Sequence, residues 1–310
     1  MRALVTGASG FVGRFLVEVL RREGAEVLAC GGPHDEFANA CVIDMRDADS
    51  LRLAIETFRP TVIFHLAAQT FVPAALRTPV ETYESNVMGT ARLAEVVRRY
   101  TTGSPPRIVF TSSAEVYGVR DPSEYPLRES LDLRPANPYG ASKAAAEAIL
   151  LGESQSCGLD VVIARAFNHI GPGQSERFVV ASLTAQLARI AAGGAAQLSV
   201  GNLAAARDFL DVRDVVTAYL GLARDGENGE VYNVCSGHAV TIRDLLRELI
   251  AIAHVAVEVR EDPSRMRSSD VPLSVGNPEK LHARTGWKPR IPLVRSLQDI
   301  YDSALTALRG

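Results

Sequence analysis

The chain is short of several things that whole classes of protein need. No apolar run reaches the roughly 20 residues required to cross a bilayer, so no membrane span is expected. There is no basic tract and no interleaving of aromatic with basic residues, and the formal net charge is −3; nothing here would attract nucleic acid. The four cysteines, Cys30, Cys41, Cys157 and Cys235, have no C-x-x-C spacing, which predicts buried thiols in place of bridges. The six histidines never stand four apart, so no metal site is expected. Internal repeats and low-complexity linkers are absent too. The opening "MRALVTGASG" reads as strand and turn, not as a signal peptide. A cytoplasmic protein whose partners are small molecules is the expectation.

What is present is an ordinary globular composition, with 47% apolar and 22% charged residues in 310. "RALVT" at 2 to 6 is β-compatible, a glycine turn follows, and Phe11, Val12, Phe15, Leu16, Val19 and Leu20 recur at helical spacing. The theme repeats with "EVLAC", "CVI", "TVIFHLAA", "RIVFTSS" and "LDVVIAR", separated by helical stretches near 48 to 58, 80 to 100 and 138 to 156. Runs apolar on both faces suit a parallel sheet covered by helices. The fold class expected is therefore α/β, a doubly wound parallel sheet of Rossmann type with a second, smaller α/β substrate domain. Residues 1–166 make the dinucleotide-binding part, completed from within about 208–245, where "DFLDV" and "EVYNV" read as strands returning to the main sheet. Residues 167–310 supply most of the smaller, discontinuous part, with helices expected near 177 to 192, 241 to 253, 278 to 284 and 292 to 308.

"TGASGFVG" puts Gly7, Gly10 and Gly13 between the first strand and the first helix. Glycine there lets backbone N–H groups and the helix N-terminus approach a pyrophosphate. At the end of the second strand, where an acid would grip the ribose hydroxyls, stand Gly31 and Gly32. Without that acid nothing repels a 2′-phosphate, and Arg14 on the first helix is within reach of one, which favours NADPH over NADH while leaving both open. Asp44 is the natural partner for an adenine amino group, or else the N-cap of the next helix.

"NPYGASKAAAE" places Tyr139 and Lys143 four apart on one helical face. An adjacent ammonium favours the phenolate, so Lys143 is expected to lower the phenol from its ordinary value of about 10 and make it a usable acid or base. Ser113, ending the fifth strand, offers a hydroxyl to hold a substrate oxygen beside that phenol.

With these residues in place the chain resembles the extended short-chain dehydrogenases/reductases, the enzymes that act on nucleotide-activated sugars. The likeness runs through "TGASGFVG", "DMRD", "HLAAQ", "NVMGT", "SSAEVYG", "YGASK", "RAFNHIGPGQ", "RDFLDVRDV", "YNVCSG" and "TGWKP", in family order. It implies cofactor contacts at Phe11, Val12, Met45, Leu66, Ala67 and Ala68 beside the glycines, and a catalytic set of Ser113, Tyr139 and Lys143. It also implies a supporting or substrate-side role for Asn86, and phosphate or nucleoside contacts from Asn168, Arg207 and Arg267. Arginine suits that last task because its planar fork matches phosphate oxygens.

The segment "SSAEVYG" discriminates between reactions. Relatives that eliminate water carry a polar or acidic residue before the glutamate, which protonates the departing hydroxyl while the glutamate takes a proton from carbon. Here that position is Ala114, with Glu115 retained. Elimination lacks its donor, whereas hydride transfer loses nothing; Glu115 is left to bind a sugar hydroxyl or to sit as a solvated loop carboxylate. "NHIGPGQ" likewise resembles the GDP-4-keto-6-deoxymannose reductases more than the GDP-mannose 4,6-dehydratases. Reduction of a GDP-4-keto-6-deoxy sugar is the expected reaction. A 4,6-dehydratase, a 4-epimerase and a non-catalytic dinucleotide-binding regulator are the alternatives. A homodimer is expected through the helices at 80 to 100 and after Tyr139, on the stripe Val80, Val87, Ala91, Ala94 and Val97.

Overall fold

The computed structural model of the chain describes residues 1–32, 41–101, 103–265 and 271–309. The first half runs β1 (Arg2–Thr6), α1 (Phe11–Arg22), β2 (Glu26–Gly31), β3 (Cys41–Val42), α2 (Ala48–Phe58), β4 (Val62–His65), α3 (Val72–Arg77), α4 (Pro79–Tyr83), α5 (Gly89–Tyr100), β5 (Arg107–Ser113) and α6 (Pro138–Cys157). The second half runs β6 (Val161–Ala166), β7 (Asn168–Ile170), α7 (Val179–Ala191), β8 (Gln197–Val200), β9 (Ala206–Asp211), α8 (Val212–Asp225), β10 (Glu230–Val234), β11 (Ala239–Thr241), α9 (Ile242–Ala253), β12 (Glu258–Glu261), β13 (Leu273–Ser274), α10 (Glu279–Thr285) and α11 (Leu293–Arg309).

Seven strands form one sheet in the order β10-β6-β5-β4-β1-β2-β3, with every pairing parallel. This is the doubly wound arrangement expected. All four residues of β4 and all six of β6 are buried. Fully burying a valine or isoleucine side chain contributes roughly 1.5–3 kcal/mol, so these central strands fix the sheet. Two apolar clusters cover its faces, one under α1 and α8, the other under α2, α5 and α6. The strand order reverses between β1 and β4, and in such sheets ligands bind beyond the carboxyl ends at that crevice.

"EVYNV" joins the main sheet as β10, but "DFLDV" does not: β9 lies in a separate four-stranded sheet with β7, β11 and β13. A third apolar cluster, built from α7, α9, α11 and β9, stands behind it. The acids of "RDFLDVRDV" hold this part together. Asp208 is fully buried and accepts from the backbone N–H groups of Ser236 and Gly237 and from the Ser236 hydroxyl. Asp211 caps α8 at Arg213, and Asp214 accepts from the N–H groups of Arg290 and Ile291.

Two further expectations change. The helical stretch at 80 to 100 is α4, a π-helical turn at Glu84–Met88, and α5. Of the stripe expected to meet a partner, Ala94 and Val97 are buried in the chain's own core, Val87 and Ala91 are half-buried and Val80 is exposed; Tyr83 and Met88, outside that stripe, are exposed too. All four cysteines are free, but only Cys30 and Cys235 are buried as expected; Cys41, in the edge strand β3, is half-buried, and Cys157, the last residue of α6, is exposed.

Candidate active site

Two adjoining cavities open at the carboxyl ends of the strands, one of about 1070 Å³ and one of about 590 Å³. The larger is floored by the glycine turn after β1. Gly7 has φ +70°, a left-handed conformation that glycine adopts without strain. A methyl group at Gly13 would overlap the carbonyl oxygen of Gly7. The turn is thus a cradle that any side chain would fill, and its backbone sits where α1 begins, the position that suits a pyrophosphate. Gly7, Gly10, Phe11, Val12, Gly13, Asp44, Met45, Leu66, Ala67 and Ala68 all line this cavity, as do Tyr139 and Lys143. These residues fit a dinucleotide.

Arg14 is the exception among the expected cofactor contacts. Its Nε donates to the Ser9 carbonyl at 2.8 Å and its side chain is not in the cavity wall, because it lies one helical step round from Gly13. Arg46 takes the place at the wall, forked onto Asp44 with Nη2 to Oδ2 at 2.8 Å. Its hydrogen bonds hold the Asp44 carboxyl below the usual range. The cap of α2 is Asp47, not Asp44.

α6 begins at Asn137, whose side chain accepts from Gly140 N, with Pro138 in the first turn. Tyr139, Lys143 and Glu147 then recur every four residues on one buried face. Lys143 Nζ donates to the Thr111 carbonyl at 2.7 Å and lies 4.7 Å from the centre of the Phe110 ring. Burial pushes its pKa down to about 7, with Glu147 pulling the other way. The expected lowering of the phenol is overturned: burial pushes Tyr139 up to about 12, the Ser113 hydroxyl draws it back in part, and Glu115 adds to the rise. Removing the phenolate from water outweighs any help from an ammonium that is itself half-titrated near neutrality.

Behind these groups runs a hydrogen-bonded chain that ties the end of β1, before the glycine turn, to α6. Ala67 N donates to Thr6 Oγ1, which lies 2.8 Å from His65 Nδ1. His65 Nε2 lies 3.0 Å from Thr90 Oγ1, and Thr90 donates to the Asn86 carbonyl. With the Thr90 hydrogen so placed, Nε2 carries the ring proton and Thr6 donates to Nδ1. Asn86 Nδ2 donates to Ser142 Oγ, and Ser142 donates to the Tyr139 carbonyl. Burial, then the nearby Lys143, push His65 down to about 3. Asn86 is buried and off the cavity wall, with its side-chain oxygen accepting from Gln69 N; direct contact with substrate is therefore corrected to a place behind the site.

Ser113, Ala114 and Glu115 line the larger cavity. Glu115 is not a solvated loop carboxylate: Asn137 Nδ2 donates to its Oε2 at 2.7 Å, tying it to the start of α6. Asn168 lines both cavities and Arg207 the smaller one, where Arg207 Nη1 also donates to the Ala206 carbonyl at 2.9 Å. Arg267 lies outside the described residues. Sequence reasoning missed Arg46, Gln69, His169 and Gln174 at the walls. Their signal was present, since each is a polar residue inside a motif already singled out, with Arg46, Gln69 and Gln174 past a strand end and His169 within β7.

With fold and site in view, the comparisons with known proteins agree. The sequence matches the family described as GDP-mannose 4,6 dehydratase over residues 4–300. It is 41% identical over 300 residues to the GDP-6-deoxy-D-mannose reductase of Pseudomonas aeruginosa, covering 96% of this chain and 95% of that protein. It is 29% identical over 309 residues to the GDP-6-deoxy-D-talose 4-dehydrogenase of Aggregatibacter actinomycetemcomitans, covering 99% of each. Among solved structures, that of RMD from Pseudomonas aeruginosa complexed with NADPH superposes with a TM-score of 0.88 at 38% identity, over 99% of this chain and 100% of that one. The chain belongs to the GDP-mannose 4,6-dehydratase family, within the extended short-chain dehydrogenases/reductases. It is an NAD(P)-dependent oxidoreductase of nucleotide sugars.

Proposed function

We propose that this protein reduces the C4 ketone of a GDP-4-keto-6-deoxy sugar, with NADPH preferred over NADH, giving GDP-D-rhamnose or its C4 epimer. The observation that carries this is a phenol holding its proton next to an alanine. Tyr139, pushed up to about 12, is an acid in waiting, and Ala114 stands where elimination would need a second donor. Bound nicotinamide supplies the hydride. Ser113 orients the carbonyl oxygen, and Tyr139 gives its proton to that oxygen as negative charge develops there. Lys143, protonated, stabilises the phenolate left behind; Thr111 O and the Phe110 ring hold its amine in position. Glu115 orients the start of α6 and offers its free oxygen to a sugar hydroxyl.

The main sheet with α8 and β10 forms the cofactor domain, and the part built on β7, β9 and α7 the nucleotide-sugar domain, with Asn168 and Arg207 toward the phosphates. Preference for NADPH rests on Gly31 and Gly32 at the cavity wall and on Arg46 beside them. The protein acts as a cytoplasmic homodimer through the exposed face of Val80, Tyr83 and Met88; light scattering of the purified protein should give twice the chain mass. Purified protein mixed with NADPH and GDP-4-keto-6-deoxymannose should consume NADPH in step with sugar. Turnover without net loss of NADPH absorbance would show a dehydratase or epimerase instead.

A further inference from the structure

His169 and Gln174 stand where the two cavities meet, and each lines both. The imidazole lies parallel to the Phe11 ring, centroids 6.2 Å apart and planes within 8°. Its Nδ1 is 3.0 Å from the Phe167 carbonyl. A carbonyl can only accept, so Nδ1 carries the hydrogen and Nε2 is left as an acceptor. Burial holds the imidazole below its usual value, which keeps that lone pair free at neutral pH. Gln174 Nε2 donates to the His169 carbonyl at 3.0 Å, and this turns Gln174 Oε1 inward, where it is buried without a partner. Nε2 of His169 has no partner among the described residues.

Two acceptors without donors disfavour an anion and call for hydroxyl or amine hydrogens. Phosphates have better company in the smaller cavity, where Arg177, Arg207 and Arg265 are in the wall. The proton donor Tyr139 lines the larger one. A sugar joined to a diphosphate must pass between them.

We propose that His169 Nε2 and Gln174 Oε1 accept hydrogen bonds from the ring hydroxyls of the hexose, which makes them the residues that read the sugar. This rests on the nucleotide-sugar reading given above. The test is calorimetric titration of the NADP+-saturated enzyme with GDP and with GDP-mannose, for the wild type, His169→Phe and Gln174→Leu. Phenylalanine keeps the parallel ring contact with Phe11 and removes the Nε2 acceptor together with the Nδ1 donor to the Phe167 carbonyl, whereas Gln174→Leu leaves that donor in place. Each variant should bind GDP-mannose about ten-fold more weakly, the worth of one lost hydrogen bond with its partner left unpaired. Affinity for GDP and for NADP+ should be unchanged. If GDP and GDP-mannose weaken by the same factor, or if NADP+ affinity falls instead, the assignment is wrong. If either variant fails to fold, the other decides. A wild type that binds no GDP-linked sugar overturns the substrate reading and this inference together, whereas tight GDP-mannose binding unmoved by both substitutions overturns the inference alone.

Discussion

Glu147→Gln is the perturbation whose size can be worked most directly from the structure. Glu147 and Arg165 are paired with side chains 1% and 5% exposed, Nη2 to Oε2 at 2.7 Å and Nε to Oε1 at 3.0 Å. Ser112 Oγ also donates to Oε1. Three donors therefore converge on two carboxylate oxygens. Glutamine offers one oxygen and turns its own N–H₂ toward the guanidinium, and Arg165 keeps only the Tyr117 hydroxyl and the Glu129 carbonyl. Removing one partner of a buried pair costs about 3–5 kcal/mol, because the other charge stays buried. An unfolding entropy of about 2.1 cal/mol/K per residue converts this to a fall in Tm of about 5–8 °C for a 310-residue chain. Scanning calorimetry measures that fall directly. Replacing both residues, Glu147→Leu with Arg165→Met, takes the stranded charge away and should recover at least half of it. The same substitution reaches the chemistry, since Glu147 holds Lys143 up from one turn away. Its loss should move the alkaline limb of kcat/KM to lower pH in the fraction that folds. A Tm change under about 2 °C, or a double variant less stable than the single one, would refute the reasoning.

Three other outcomes follow from the site. Tyr139→Phe should lower kcat by about 10²–10⁴-fold, the usual worth of a positioned proton donor, with cofactor affinity intact; undiminished turnover would show that another group gives the proton. Lys143, at about 7 in the free protein, is mostly neutral at pH 8, so a complex that needs the ammonium must take up close to one proton. Titrating NADP+ at pH 8 in Tris and in phosphate should give different enthalpies that converge at pH 6 and in Lys143→Met; equal enthalpies at pH 8 would contradict the shift. His65 is pushed down to about 3, so between about 6.5 and 3 the unfolded chain binds a proton that the folded one refuses. Stability should be lost as pH falls through that window by about 1.4 kcal/mol per unit from this residue alone, seen as a falling urea midpoint, and removed in a folded His65→Gln variant.

Much of the fold could be read from residues alone because its central strands are apolar on both faces. "VIFH" and "VVIARA" have no solvent side, and only a covered parallel sheet accepts such runs. The same logic misplaced "DFLDV", which is also apolar. The information that it belongs elsewhere lay in its acids: Asp208 and Asp211 can be buried only where backbone N–H groups and hydroxyls converge on them, and those donors come from segments after β10 and from α11. A pattern of apolar residues says that a strand is buried; it does not say beside which neighbour.

The site divides in the same way. Spacing alone put Tyr139, Lys143 and Glu147 on one face, because helical geometry is local. The direction of the phenol's shift was misread because it is not local. Sequence names the ammonium beside the ring, but the balance between that charge and desolvation depends on how completely the fold buries both groups, and here burial wins. A phenol raised to about 12 is fully protonated at neutral pH and so available as a donor, but the same rise makes it a weaker acid that gives its proton up only to a more basic alkoxide. Cofactor or substrate that brings charge or water into the cavity must shift that balance, so the pKa of Tyr139 in the binary complex, read from the ultraviolet absorbance of the phenolate, should lie below that of the free protein.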